Sequence, residues 1–211
     1  MADISGAAKP FDAVVIVGSQ GSLHSVQRVL GSLTKSFATA IIFDHHRGED
    51  HGAIARMLSR GCSLQIRPAK SGARLDPATV SLAPHDQQLT LGDDGLMRLS
   101  ASAAGVGHRS ANGLLSSAAR VLGPRMIAVV LSGRLEGGAR GVREVKRGGG
   151  RVIVEDPTSA VAPAMPNAAL ATGCVDFALR PEAIAHALVA MCEVAGASDL
   201  FRVRMNASLA S

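Results

Sequence analysis

The sequence predicts an α/β fold: a doubly wound, mostly parallel sheet covered by helices on both faces, with an antiparallel hairpin insertion. Short apolar segments rich in Val and Ile alternate with amphipathic segments along the chain, which is the pattern of alternating strands and helices. The strand segments are apolar throughout, as in parallel sheets that are buried on both faces. The stretch 68–100 differs, because Gly, Pro and Asp break it into short segments typical of a hairpin insertion.

Each element follows from its own apolar pattern and from the turn residues that bound it. Strands are predicted over 13–17, 38–43, 64–67, 126–131, 151–154 and 174–178, and within the insertion over 79–83, 88–91 and 96–99. Helices are predicted over 23–33, 53–60, 111–122, 139–147, 164–171 and 181–192. The elements indicate one domain over 12–192, with an N-terminal tail over 1–11 and a C-terminal tail over 193–211.

Composition excludes several classes of protein. A chain of 211 residues that is 47% apolar is large enough for one buried core. It has five Phe and no Tyr or Trp, so we expect no base-stacking surface for nucleic acid. Its three cysteines are widely separated, which predicts neither a disulfide framework nor a zinc site. No stretch approaches the roughly 18 apolar residues of a membrane span, so we expect a cytoplasmic protein without membrane insertion. The net charge of +5 favours acidic partners.

Two residues at strand ends indicate a nucleophile and its base. Ser19 lies in the turn between the first strand and the first helix, where backbone N–H groups at the helix start can stabilise an oxyanion. His45 follows the second strand, and the carboxyl ends of parallel strands lie at one edge of the sheet. An imidazole that accepts the hydroxyl proton of Ser19 would activate it for attack on a carbonyl carbon.

The same residues also allow other interpretations. The turn 18–22 could bind a phosphate at the helix start, or Ser22 could serve as the helix N-cap. The cluster 44–51 concentrates His and carboxylate side chains, but adjacent ligands on one loop rarely converge on a single ion. We therefore predict no metal and no cofactor.

Several separated segments resemble the catalytic domain of the chemotaxis methylesterases (CheB), in the right order and over roughly 12–190. Residues 14–22 resemble the first strand and the Gly-Ala-Ser-x-Gly-Gly turn of that family. The other matching segments are 41–45 (Val-Val-Gln-His in the family), 82–84 (Leu-Ala-Pro), 107–109 (Gly-His-Arg), 148–156 (Ala-Gly-Gly-x-x-x-x-Gln-Asp), 164–166 (Gly-Met-Pro) and 173–176 (Gly-Ala-Val-Asp).

The resemblance implies that Ser19 is the nucleophile and His45 the base, and it also exposes a departure. The family's catalytic acid lies in a Leu-Thr-Gly-Met-Gly-x-Asp-Gly loop, and the aspartate position is Gly137 in this chain. Glu136 is the nearest candidate for a replacement acid. The oxyanion or substrate-binding residues implied by the resemblance are Gln20, Gly21, Arg109 and Arg134.

The implied function is hydrolysis of glutamyl methyl esters on the cytoplasmic helices of methylated chemoreceptors. Fewer than fifteen residues precede the first strand, so we expect a stand-alone domain without the receiver domain that usually precedes the catalytic one. Loss of the orienting carboxylate of a serine triad typically costs roughly 10⁴-fold in rate. The alternative is an inactive binding or regulatory module that keeps the fold and a surface for acidic receptor helices.

Overall fold

A computed structural model describes residues 10–45, 51–84, 86–101, 109–134 and 137–194. The strands are β1 (Ala13–Gly18), β2 (Ala40–His45), β3 (Gln65–Pro68), β4 (Thr79–Leu82), β5 (Gln87–Leu91), β6 (Met97–Ala101), β7 (Met126–Val130), β8 (Arg151–Glu155) and β9 (Phe177–Leu179). The α-helices are α1 (Ser22–Gly31), α2 (His51–Ser59), α3 (Arg109–Leu122), α4 (Ala139–Arg147), α5 (Ala164–Leu170) and α6 (Pro181–Glu193).

Seven of these strands form one parallel sheet in the order β3-β4-β2-β1-β7-β8-β9. From β1 the order runs outward as β7, β8 and β9 on one side and as β2, β4 and β3 on the other, which is the doubly wound arrangement predicted from the sequence. Such sheets place their sites at the carboxyl ends of the strands, where the chain changes direction across the sheet. Here the strand order reverses at β1, whose neighbours β2 and β7 belong to the two halves of the sheet.

The core has two layers because side chains alternate between the faces of each strand. Val15 and Val17 of β1 belong to the layer that holds Leu115 of α3 and Val142 of α4. The opposite layer contains the alternate β1 side chains together with apolar residues of α1 and α6, namely Val14, Ile16, Val26, Val29, Ile184 and Leu188. Helices therefore cover both faces, and each fully buried aliphatic side chain stabilises the fold by about 1.5–3 kcal/mol.

The segment 79–83 differs from its prediction as part of the antiparallel insertion. Residues Thr79–Leu82 form β4, which lies between β2 and β3 and pairs in parallel with both. The Thr-Val-Ser-Leu alternation imitates a strand with one exposed face, but Thr79 and Ser81 are buried as well. The insertion is the β5–β6 pair alone, and it contacts α3 through a hydrogen bond from the Leu91 amide to Ser117 Oγ (3.1 Å).

The strand predicted over 174–178 also differs, since β9 is limited to Phe177–Leu179. Asp176 explains the difference, because its carboxylate accepts a hydrogen bond from the Val152 amide (2.8 Å). The Val152 amide of β8 thus pairs with a side chain instead of a backbone carbonyl just before β9 begins. Cys174 is buried in the preceding turn.

Within the described ranges, no helix is both long enough and apolar enough to cross a membrane.

Candidate active site

Ser19 lies in a tight turn between the central strand and the first helix. Its amide donates a hydrogen bond to the Ser132 carbonyl (2.9 Å), and its carbonyl accepts one from the Ser22 amide (3.0 Å). Gly21 completes the turn at φ 88°, in the left-handed region that favours glycine. Ser19 is 5% exposed, so the turn holds its hydroxyl at the sheet edge largely shielded from water.

His45 is the last residue of β2, and its backbone is in register with Gly18 of the neighbouring β1. The residue is 2% exposed. Its Nδ1 lies 3.1 Å from the hydroxyl oxygen of Ser22, and its ring lies 6.0 Å from the ring of Phe43. The structure therefore places the predicted serine just after β1 and the predicted histidine at the end of the adjacent β2, at the same edge of the sheet.

The loop after β7 runs alongside the Ser19 turn. A Cβ added to Gly133 would lie 3.2 Å from the Cβ of Ser19 and would overlap the sulfur of Met165. Gly133 also donates to the Ala162 carbonyl (2.8 Å) and accepts from the Met165 amide (3.0 Å). Glycine is required here because the loop backbone passes between the serine and the segment that follows β8.

A buried carboxylate, Glu155, joins the elements that carry this loop and the turn. Its two oxygens accept hydrogen bonds from Ser25 Oγ of α1 (2.6 Å), the Ser132 amide (2.7 Å) and Ser132 Oγ (2.8 Å). The residue has no solvent exposure. Three hydrogen bonds, one of them from a backbone amide, are the compensation that a buried carboxylate needs.

Glu155 is not among the site residues predicted from the sequence, although it lies in one of the segments quoted for the resemblance. It stands where the family pattern has glutamine, one residue before the more conspicuous Asp156. Asp156 stabilises the turn after β8: the Thr158 amide and hydroxyl both donate to its Oδ1, at 2.9 and 2.8 Å. These hydrogen bonds lower the pKa of Asp156 below its ordinary value.

The other predicted site residues are distributed around the turn. Gln20 is half-buried, and among the described residues its Oε1 has no hydrogen-bond partner. Arg134 is exposed in the loop after β7, and Gly137 is buried just before α4. Glu136 lies outside the described residues, and Arg109 is described only as the first residue of α3.

The sequence also allowed an N-cap role for Ser22 and a metal site in the cluster 44–51. Gly21 occupies the N-cap position of α1, and Ser22 is the first residue of the helix. Because glycine has no side chain, the cap residue provides no side-chain hydrogen bond to the helix. The metal alternative falls mostly on residues 46–50, which lie outside the described part of the chain.

Together, the sheet and its polar edge define a doubly wound α/β protein with a serine turn at the switch point between its two halves. The family model described as CheB methylesterase matches residues 14–188 of this sequence. The chain belongs to the CheB methylesterase family, as its resemblance to that family predicted.

Named relatives and a solved structure agree with this assignment. The chain is 33% identical to the protein-glutamate methylesterase FrzG of Myxococcus xanthus over 187 residues, covering 88% of this chain and 56% of the relative. It is 34% identical to a protein-glutamate methylesterase/protein-glutamine glutaminase of Moorella thermoacetica, covering 89% and 46%. It therefore spans about half the length of these two relatives.

The crystal structure of the Thermotoga maritima CheB methylesterase catalytic domain superposes with a TM-score of 0.79 at 29% sequence identity. The superposition covers 85% of this chain and 97% of that domain. The α/β architecture predicted from the sequence is thus that of a CheB catalytic domain.

Proposed function

We propose that this chain hydrolyses glutamate methyl esters on chemoreceptors through a covalent intermediate on Ser19. The observation that carries the proposal is the pairing of two strand ends: Ser19 follows β1 directly, and His45 ends β2 in register with Gly18. Membership of the CheB methylesterase family supports the choice of ester, since relatives bear the name protein-glutamate methylesterase.

The reaction follows from the chemistry of a serine and an imidazole. His45 takes the proton of the Ser19 hydroxyl as Oγ attacks the ester carbonyl carbon, and the carbonyl oxygen becomes an oxyanion. Collapse of this intermediate breaks the bond to the methoxy oxygen, which leaves as methanol with the proton from His45. Water then attacks the acyl-enzyme by the same route and releases the glutamate carboxylate and the Ser19 hydroxyl.

Backbone groups around the turn are suited to stabilise the oxyanion. The amide of Gln20 directly follows Ser19 in the turn before α1, the position that supplies one oxyanion donor in strand-turn-helix serine sites. The loop at Gly133 passes within van der Waals distance of Ser19 and bounds the same space. Arg109 and Arg134 are proposed to attract the acidic helices of the substrate.

The second candidate function follows from Gly137, which stands at the aspartate position of the family motif. Gly137 has no side chain to orient His45, so a protein that binds acidic receptor helices without cleaving esters is the alternative. Glu136, one residue earlier, is proposed as the replacement acid in an active enzyme.

Methanol release from a methylated chemoreceptor cytoplasmic fragment tests the proposal. We expect release by the native protein and none by Ser19→Ala, since this substitution removes the attacking oxygen. If Glu136 serves as the acid, Glu136→Gln lowers kcat by about 10²–10⁴-fold. Release by the native protein no faster than by Ser19→Ala would contradict the esterase and favour the binding module, which a pull-down of the same fragment detects.

A further inference from the structure

Ser22 connects the two residues of the proposed pair through one hydroxyl group. Its Oγ lies 2.7 Å from the Ser19 carbonyl oxygen and 3.1 Å from His45 Nδ1. The carbonyl oxygen can only accept a hydrogen bond, so the Ser22 hydroxyl uses its one proton there. The contact with Nδ1 therefore requires the proton to be on the ring nitrogen, with Ser22 Oγ as acceptor.

We propose that Ser22 is a positioning residue that fixes the tautomer of His45. A neutral imidazole carries one ring proton, so a proton on Nδ1 leaves Nε2 as the basic nitrogen. Nε2 is then the atom that accepts the hydroxyl proton of the nucleophile. The role of Nε2 as the base rests on the proposed function, whereas the tautomer of His45 does not.

The role resembles part of what a carboxylate does in a serine triad. A triad carboxylate holds the histidine in its correct tautomer and orientation, and it also stabilises the imidazolium that forms during the reaction. A hydroxyl that accepts a hydrogen bond from Nδ1–H can fix the tautomer and orientation of the histidine. It lacks the negative charge that would stabilise the imidazolium. Ser22 is fully buried, so water does not compete for this hydrogen bond.

The position of Ser22 also makes it a firm support. It is the first residue of α1, and its hydroxyl is held from the other side by the backbone of Ser19, three residues earlier. Movement of the histidine ring away from Ser22 would break the hydrogen bond from Nδ1. The turn that carries the nucleophile thus also orients the base.

The tautomer can be measured without any substrate. Long-range ¹H–¹⁵N correlation spectra distinguish the protonated ring nitrogen of a histidine from the unprotonated one, and loss of signals in His45→Gln assigns the residue. We expect the proton on Nδ1 in the native protein, and a shift of the proton toward Nε2 in Ser22→Ala. Ser25→Ala is the matched control, because it removes another buried hydroxyl from α1 that hydrogen-bonds Glu155 instead.

A proton on Nε2 in the native protein, or an unchanged tautomer in Ser22→Ala, would overturn the inference. Ser22→Gly repeats the test with the smallest side chain in case the alanine variant fails to fold. In the methanol-release assay, Ser22→Ala should lower kcat about tenfold, the effect of losing one ordinary hydrogen bond, and Ser22→Thr should recover much of it. Because the spectrum needs no turnover, an inactive native protein with the expected tautomer would contradict the proposed function alone.

Discussion

Ser22 fits at the start of α1 because Gly18, which lies against it, has no side chain. A Cβ on Gly18 would lie 2.4 Å from the Cβ of Ser22 and 2.6 Å from its hydroxyl oxygen, which is closer than real atoms approach. The family turn quoted above has alanine and glycine at these two positions. This chain instead has glycine at position 18 and serine at position 22, so the combined side-chain volume of the two positions is nearly the same.

We therefore predict that Gly18→Ala destabilises the protein by about 2 kcal/mol through overpacking. The double variant Gly18→Ala with Ser22→Gly should recover most of that loss, because the clash disappears with the serine side chain. Urea unfolding followed by far-UV circular dichroism gives the free energies, a suitable probe for a chain without Trp or Tyr. Additive effects of the two substitutions would show that the side chains do not meet.

At the level of single residues, the sequence was sufficient to predict that Ser19 and His45 lie at the ends of neighbouring strands, but not to predict the contacts made by Ser22 and Glu155. Ser19 directly follows the apolar strand β1, and His45 ends β2 after its apolar run, positions that depend only on local pattern. Ser22 and Glu155 act through contacts between elements distant in the chain, with partners 23 and 130 residues away in the two longest cases. No local pattern carries that information.

Among the elements, α4, β8 and the turn before β9 are joined by one buried ion pair. Lys146 of α4 contacts the carboxylate of Asp176, and the two side chains are 8% and 0% exposed. The other oxygen of Asp176 accepts from the amide of Val152 in β8. A single carboxylate therefore holds a helix and a strand against the chain that leads to β9.

Removing that carboxylate should be costly. We predict that Asp176→Ala lowers the free energy of unfolding by about 3–5 kcal/mol, because it removes the negative charge that Asp176 places beside the buried Lys146 ammonium. Glu144→Ala is the control, since it breaks the exposed pair with Arg147 on the same helix and should cost at most about 1 kcal/mol. Equal losses in urea unfolding would contradict the argument from burial.

The elements that the sequence placed wrongly share one physical cause. The buried hydroxyls of β4 made a central strand look half-exposed, and the Asp176 side chain replaced a backbone partner before β9. In both cases a polar side chain is buried inside the fold, whereas pattern analysis assumes that polar groups face water. The fully apolar strands β1 and β7 were predicted to within one residue at each end.

For the molecule as a whole, a buried thiol links stability to pH. Burial in α6 raises the pKa of Cys192 from 9.0 to about 12, partly offset by a hydrogen bond from its neighbour Thr39. In the unfolded chain the thiol ionises near 9.0, while in the folded protein it stays protonated. Above that pH the unfolded state binds fewer protons than the native state, so the stability contributed by the neutral thiol is lost as pH rises toward about 12.

We predict that the free energy of unfolding falls above about pH 9, with Cys192 contributing up to about 1.4 kcal/mol per pH unit. The variant Cys192→Ala should start less stable and show a shallower decline. Cys62→Ala is the comparison, because burial also raises the pKa of that half-buried thiol, so both slopes should be reduced but that of Cys192→Ala more. Identical slopes in urea titrations across this pH range would contradict the assignment to Cys192.

The central place of β1 also governs the order in which the chain can assemble its site. The serine and the histidine both lie within residues 13–45, yet β1 needs β7, more than a hundred residues later, to cover its second edge. Contacts between such distant segments form slowly, because the entropy cost of closing a long loop comes before the contacts contribute any stability. A nascent chain thus carries both the serine and the histidine well before the strand and the loop that shape their surroundings have been synthesised.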